Sequence, residues 1–468
     1  MKRIAIRRFP IQAVLVWAAA LVVVPMPFTA IPWATLGPMY RSMLTPITAG
    51  IYAYIWMLEC VWLGCRPRWL DRIIGLPGIY VLHGVLGTGA LALVVYHQYV
   101  LPSFGPAKTT GEIAFWTLVG IVALALVMMA GWLDTLVPPL ATVRSWLERV
   151  FRHEFTVWLH RIVLVAVVLA CLHFNLVFYI KDLTAFIVTM DVTTGLVLAW
   201  YAWVKLRDRM FAARGKVVSA RRVSNDIVEI LVDCPAMHSW EYGDFVFLRL
   251  PRERGMHGSH PFSIANLPGE HGDAMRFAVR INGDFTERLY RTARAGMRVD
   301  VIGPFGMYER FIARHDAHAP IVVYAGGVGI TPIIPTIMAL SGTNRPVTVM
   351  YTAKRADDLL YADELRKWSA SEAHTPHMQV GRWSKTELAE QITDGHTGTG
   401  GLAARPAGDA HAAAHSLADE VVAGTIGIGA ILAKAGDRSI NQARIQLFAL
   451  FIAEAQTAHN TGTVVFQQ

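Results

Sequence analysis

The sequence predicts a multi-domain chain: a six-helix transmembrane bundle, then an antiparallel β-barrel, then an α/β domain. Three observations predict it. The first half holds apolar runs long enough to cross a bilayer. Near residue 211 the pattern changes to short Val- and Phe-rich runs broken by Gly, Pro and Asp, as strands require. Near residue 320 an apolar strand runs into a glycine-rich turn and then an apolar helix.

The helical half comes first. Only 17% of the 468 residues are charged, against about a quarter in soluble domains, and mean hydropathy is +0.38. Six spans are predicted, at 11–32, 45–65, 77–100, 112–133, 155–178 and 183–205. Each is close to the roughly 20 residues that cover a bilayer core of about 30 Å. The first is too long for a signal-peptide core, lacks a small-residue cleavage site, and is read as retained.

Charge orients the bundle. Fifteen cations alternate with three along the connecting segments. The larger group is Lys2, Arg3, Arg7, Arg8, Arg66, Arg68, Arg72, Arg144, Arg149, Arg152, Lys205, Arg207, Arg209, Arg214 and Lys216; the smaller is Arg41, Lys108 and Lys181. The positive-inside rule then puts the N-terminus and everything after residue 205 in the cytoplasm of a multi-pass protein of the plasma or inner membrane. Much of the net charge of +8 belongs to this pattern, so a nucleic-acid partner is not expected. Four cysteines, Cys60, Cys65, Cys171 and Cys234, form no C-x-x-C pair, which argues against a disulfide framework or an iron–sulfur cluster.

Four histidines lie well inside spans: His83 and His97 in the third, His160 and His173 in the fifth. An imidazole in hydrocarbon is costly unless something binds it. Both spans start on the cytoplasmic side, so His83 matches His160 in depth and His97 matches His173. The two levels are roughly 20 Å apart at about 1.5 Å per residue. Fourteen residues bring His83 and His97 onto one helix face, whereas thirteen leave His160 and His173 out of line, an error that a π-bulge or bend would correct. One reading is four unrelated polar residues lining a cavity. Pairing at two depths favours axial ligation of two haems, which, having no open position, would carry electrons rather than bind oxygen. Arg161 is a candidate partner for a haem propionate, or a snorkelling cation. Glu59 and Asp191 are further acids within spans, with no assigned role.

These two pairs, on the third and fifth of six helices, resemble the ferric reductase and NADPH oxidase superfamily. The resemblance implies two b-type haems, an inner one on His83 and His160 and an outer one on His97 and His173.

The strand-rich part carries "SHPFSIAN" and, twenty residues on, "VRINGDFTERL". Both resemble the flavin domain of ferredoxin-reductase-type enzymes. The resemblance implies that His260, Pro261, Phe262 and Ser263 line the flavin, with the Ser263 hydroxyl at its reactive nitrogen as the catalytic group. It implies also that Arg280, Gly283 and Thr286 serve the FAD pyrophosphate, at a helix N-terminus that favours phosphate. Beyond, "GGVGITP" resembles the family's nicotinamide-nucleotide motif, through Gly326, Gly327, Gly329, Thr331 and Pro332; glycines there let a backbone approach phosphate closely. Lys354 and Arg355 end the next strand, where the family often reads a 2′-phosphate; this favours NADPH over NADH.

The expected domains are therefore 1–210, transmembrane and haem-binding; 211–312, an FAD-binding barrel; 313–393, an NAD(P)-binding α/β domain; and 394–468, an atypical segment assigned no fold, rich in Gly, Ala and His over 394–438. The family closes on Cys-Gly-Pro and a terminal aromatic. No cysteine follows Cys234 here, and Phe466 is the candidate aromatic. The resemblance implies an oxidoreductase that takes electrons from NADPH or NADH through FAD and two haems to oxygen or a ferric chelate outside. A haem-free membrane-anchored flavin reductase, or a reductase serving a quinone or partner protein, are the alternatives.

Overall fold

The computed structural model describes residues 11–129, 158–313, 321–343, 345–369, 374–381, 383, 387 and 464–467. Lys2, Arg3, Arg7, Arg8, Arg144, Arg149, Arg152 and most of 394–468 lie outside the described residues. The chain divides into two compact units, Met1–Met210 and Phe211–Gln468.

Among the described residues of the first unit, six helical spans are long and apolar enough to cross a membrane: Gln12–Thr35, Pro38–Leu63, Arg68–Val100, Gly105–Met128, Trp158–Leu176 and Thr184–Met210. They coincide with the six read from the sequence, apart from their ends. The third illustrates why. Gly75 has φ 73°, a left-handed conformation inside a continuous run of turns, and Pro77 follows. That break separates a short leading segment bearing Arg68 and Arg72 from the apolar helix expected from residue 77. Where the helices meet, alanines fully removed from solvent (Ala53, Ala90, Ala166) let backbones approach closely in a cluster with Ile55, Leu58 and Val167.

The second unit begins with six strands: β1 (Ala213–Arg222), β2 (Ile227–Asp233), β3 (Phe245–Arg249), β4 (His260–Ser263), β5 (Glu270–Arg280) and β6 (Arg298–Phe305). They pair antiparallel in the order β4-β3-β6-β1-β2-β5. The expected barrel does not close. β4 and β5 are the two edges of the sheet, and no ladder joins them. One backbone bond bridges the gap, from Ala265 N–H just past β4 to Arg276 C=O in β5, at 2.8 Å. Past Ser263 the chain makes one backbone bond to each side, Ile264 N–H to Asp244 O at 2.9 Å and the Ala265 bond to β5, and no ladder follows. The core side is apolar: Val228, Ile230, Val232, Val246, Phe277 and Val299 pack on one another. Helix α1 (Asp284–Thr292) follows β5 and buries Phe285, Thr286 and Leu289. Helix α2 (Tyr308–Ala313) follows β6.

The α/β part is a parallel sheet of order β10-β7-β8-β9, made of β7 (Ile321–Gly326), β8 (Val347–Ala353), β9 (His374–Val380) and β10 (Val464–Gln467). All seven residues of β8 are buried, as expected of a central parallel strand covered on both faces. Helices α3 (Ile333–Ala339) and α4 (Ala362–Trp368) contribute Ile333, Ile334, Ile337, Leu365 and Trp368 to the core. β10 falls within the segment that had been assigned no fold; it runs parallel to β7, Val464 opposite Ile321 and Gln467 opposite Tyr324.

Candidate functional site

The four histidines of the third and fifth apolar spans come together as two pairs. The ring centroids of His83 and His160 are 5.8 Å apart, and those of His97 and His173 are 6.2 Å apart. Two imidazoles on one metal ion, with metal–nitrogen bonds of about 2 Å and about 1 Å more to each ring centre, would put the centroids roughly 6 Å apart. Both pairs fit that spacing. Three of the rings are also tied at the other nitrogen. Nδ1 of His83 meets the Cys60 carbonyl at 3.1 Å, Nδ1 of His97 meets Pro46 O at 2.8 Å, and Nδ1 of His173 meets Ala107 O at 2.7 Å. A carbonyl oxygen can only accept, so Nδ1 carries the proton and Nε2 keeps its lone pair. Metal-bound histidines are commonly held this way, with the nitrogen away from the metal donating to a carbonyl.

The thirteen-residue spacing in the fifth span is accommodated by a 3₁₀ turn, not by a π-bulge. Arg161 N–H donates to Trp158 O, Ile162 to Leu159, Leu164 to Arg161 and Val165 to Ile162, at 2.8–3.0 Å. Each is an i→i−3 bond. A 3₁₀ step turns about 120° and rises about 2.0 Å, against about 100° and about 1.5 Å in an α-helix. Four or five such steps add roughly 80–100° and about 2 Å, which makes thirteen residues equal to fourteen α-helical ones in both angle and height. A π-bulge would unwind the helix and send the rings further apart. Arg161 lies in this turn with an exposed side chain. Asp191 accepts hydrogen bonds from Asn175 Nδ2 at 2.9 Å and from Cys171 Sγ at 3.3 Å, so its oxygen is engaged by neutral groups from the fifth span.

In the second unit, "HPFS" forms edge strand β4, paired to β3 with Phe245 opposite Ser263 and Leu248 opposite His260. All four residues are half-buried. Side chains alternate along a strand, so His260 and Phe262 share one face and Pro261 and Ser263 the other. The first face meets Phe285 of α1: the His260 ring lies 4.1 Å from it and the Phe262 ring 6.0 Å. Phe285 was not singled out from the sequence; its only signal was a place on the buried face of α1. Pro261 and Phe262 therefore face opposite sides of the strand.

Gly283 precedes α1 with φ 114°, a conformation that glycine tolerates. The Thr286 hydroxyl donates to Gly283 O at 3.0 Å and accepts from Asn282 N–H at 2.6 Å, so it shapes the turn that opens the helix. Arg280 closes β5. Its guanidinium is salt-bridged to Asp358 at 3.1 Å and to Asp226 at 3.3 Å, and it touches the glycine-rich turn at Gly327. A cation expected at the pyrophosphate is thus brought beside the nucleotide turn and already neutralised.

That turn leaves β7 at Gly326, runs through Gly327 in a left-handed conformation (φ 54°), continues as a 3₁₀ turn over Gly327–Ile330, and enters α3 past Thr331 and Pro332. The Thr331 hydroxyl donates to Val328 O at 2.9 Å. Tyr351, fully buried in β8, shares its single O–H between Gly327 O and Asp358 O, both at 3.1 Å, and accepts from Leu360 N–H at 2.9 Å. Lys354 is exposed, whereas Arg355 is tied to Asp226 at 2.8 Å and Asp358 at 2.9 Å. Burial alone would raise the Asp358 pKa, but hydrogen bonds from Arg355 and Ser224 and the charge of Arg280 hold it below the usual range. Arg276, also missed from sequence, clasps β5 to α4 through Glu364 at 2.8 and 3.0 Å and lies 4.4 Å from the Tyr361 ring centre.

Residues 212–309 match the FAD-binding domain family and residues 323–400 the oxidoreductase NAD-binding domain family. The chain carries an FAD- and NAD-binding oxidoreductase module. It is 29% identical over 166 residues to methane monooxygenase component C of Methylosinus trichosporium, a match covering 33% of this chain and 46% of that protein. It is 25% identical over 205 residues to ferric reduction oxidase 4 of Arabidopsis thaliana, covering 41% of this chain and 29% of that one. The chain thus spans less than half the length of these relatives. Among solved structures, the flavohem-like FAD/NAD binding domain of nitric oxide dioxygenase from Vibrio cholerae is similar over 38% of this chain and 77% of that one, with 17% identity and a TM-score of 0.32.

Proposed function

We propose that the chain is a transmembrane electron-transfer flavocytochrome, taking electrons from cytoplasmic NADPH or NADH and delivering them to oxygen or a ferric chelate on the outer face. One observation carries the reading: two histidine pairs, at two depths of the third and fifth spans, in the same chain as a flavin- and NAD-binding module. When bound, FAD would supply hydride acceptance and release of single electrons, and two b-type haems would relay those electrons between the faces.

The chain's own residues have separate tasks. His83 and His160 hold the inner position, His97 and His173 the outer, and the backbone carbonyls at Nδ1 of His83, His97 and His173 keep the ligating nitrogens of those three unprotonated. With two histidines at each level, these sites would leave a bound haem no open position and would serve electron transfer. Ser263 offers a hydroxyl at the redox edge of the flavin, Phe262 an apolar face, and Gly283 and Thr286 the helix start for a pyrophosphate. Gly326, Gly327 and Gly329 allow close backbone approach of the nucleotide. Lys354 is the cation available to a 2′-phosphate. The alternating cations orient the N-terminus and the flavin module to the cytoplasm.

The test is a reduced-minus-oxidised spectrum of the purified full-length protein, followed by anaerobic addition of NADPH or NADH. Two b-type haems reducible through bound FAD are expected. A flavin-containing protein without haem would overturn the reading in favour of an anchored flavin reductase.

A further inference from the structure

The two outer histidines share a feature that the inner ones lack. On the second span, a Cβ added at Gly50 would lie 2.6 Å from Nδ1 and 2.8 Å from Cε1 of His97. On the fourth span, a Cβ added at Gly111 would lie 2.8 Å and 3.0 Å from the same two atoms of His173. Four residues before each glycine stands the carbonyl that takes the ring's Nδ1 proton, Pro46 for His97 and Ala107 for His173. In an α-helix the carbonyl of residue i faces the N–H of residue i+4. A side chain at i+4 would stand between that carbonyl and an imidazole approaching from outside the helix. Glycine at i+4 leaves the carbonyl's second lone pair open to the ring. The same device therefore occurs twice, on two different helices, once for each outer histidine.

It is not a general property of the glycines in the bundle. Gly37, Gly84, Gly105, Gly120 and Gly195 have open space where a Cβ would go. Nor does it serve the inner pair. His83 also has a carbonyl partner, Cys60 O, but the glycine four residues on, Gly64, is close only to backbone oxygens, at 3.3 and 3.4 Å. The ring planes differ accordingly: 82° between His97 and His173, against 51° between His83 and His160.

We propose that Gly50 and Gly111 are positioning residues that, with the Pro46 and Ala107 carbonyls, hold the outer histidine rings crossed. The inference rests on the haem reading above. A hydrogen bond at Nδ1 alone leaves a ring free to swing about that bond; a backbone wall along the Nδ1–Cε1 edge removes the swing. Ring orientation is read directly in a ferric bis-imidazole haem: crossed planes give a strongly anisotropic low-spin resonance, and planes closer to parallel give a rhombic one.

The experiment is electron paramagnetic resonance of the oxidised full-length protein in detergent, with haem counted as the pyridine complex. The wild type is expected to hold two haems and show one strongly anisotropic signal, absent from His97→Leu. Gly50→Ala and Gly111→Ala are each expected to lose that signal, by conversion to a rhombic one or by loss of the outer haem, while the inner signal stays. Gly89→Ala is the control, because its Cβ would crowd Trp56 at 2.8 Å, between the same second and third spans but against no ligand. It is expected to retain both haems and both signals. An anisotropic signal that survives in both Gly50→Ala and Gly111→Ala would overturn the proposal, as would a Gly89→Ala variant that loses it equally. A wild type with no haem fails at the earlier step and removes the haem reading itself.

Discussion

Tyr351→Phe tests what holds the nucleotide turn in shape. The hydroxyl is fully buried and serves three backbone groups, Gly327 O, Asp358 O and Leu360 N–H, which belong to the glycine turn and to the loop after β8. Burial raises its pKa well above the ordinary tyrosine range, so it is a protonated donor at every working pH. Phenylalanine keeps the ring and its packing but leaves Leu360 N–H without this acceptor and the two carbonyls without this donor. A buried polar group stripped of its partner costs about 1–3 kcal/mol. Two such losses, the shared donor and the acceptor, come to about 2–6 kcal/mol. At about 2–4 °C per kcal/mol for a unit of this size, the melting temperature of the flavin and nucleotide unit should fall by roughly 5–25 °C. The assay is release of flavin fluorescence on heating the full-length protein in detergent. Gly327 sits in a left-handed conformation against Arg280, so a loosened turn should also raise KM for the nucleotide more than it lowers kcat. A variant that melts within about 1 °C of wild type with unchanged KM would refute the reasoning.

Replacing His97 or His173 with Leu should remove one haem and leave the other reducible by NAD(P)H, whereas His83→Leu or His160→Leu should block electron entry to both; optical titration distinguishes the two classes, and an unchanged haem count in all four would discard the ligand assignment. Ser263→Ala should keep most of its FAD and slow flavin reduction by about 10²-fold in stopped flow, if the hydroxyl acts mainly in the transition state; a variant isolated without flavin would make the serine structural. Lys354→Ala should raise KM for NADPH and leave that for NADH unchanged, while Arg355→Ala, whose cation is held by Asp226 and Asp358, should lower thermal stability and leave the nucleotide preference alone. Equal effects of Lys354→Ala on both nucleotides would remove its assignment to a 2′-phosphate.

The bundle was legible because apolar length and alternating charge are strong, local signals, and the histidines because an imidazole in an apolar helix stands out. The turn at Arg161 and Ile162 was not. "LHRIVL" contains neither Pro nor Gly, and the overwinding serves ring alignment across helices, a tertiary demand that leaves no local mark. The strands of the flavin sheet could be read from their composition, but barrel closure depends on whether β4 reaches β5, and a four-residue edge strand does not disclose that. "HPFS" revealed its neighbourhood but not its pleat, so the separation of Pro261 from Phe262 and the contact with Phe285 emerged only with the fold. Arg280 and Arg355 read as phosphate cations because sequence lists charges without their partners; Asp226 is remote in sequence from Arg355, and Asp358 from Arg280, while Asp358, three residues beyond Arg355, is the one counter-ion that local spacing offered. β10 was hidden because a parallel partner can come from any distance in sequence.

The 3₁₀ turn of the fifth span makes the tolerance of this helix to length changes one-sided. One residue inserted between Ile162 and His173 gives the fourteen-residue interval of the third span, and relaxing the turn to ordinary α-helix would then return both rings to the same face and depth. One residue deleted leaves twelve, about 240° short of four turns, and far more overwinding than the present turn supplies would be needed. Chains that lengthen this segment by a single residue therefore have a route back to function, and chains that shorten it do not. The helix is wound as tightly here as its two fixed points demand, with slack available in one direction only.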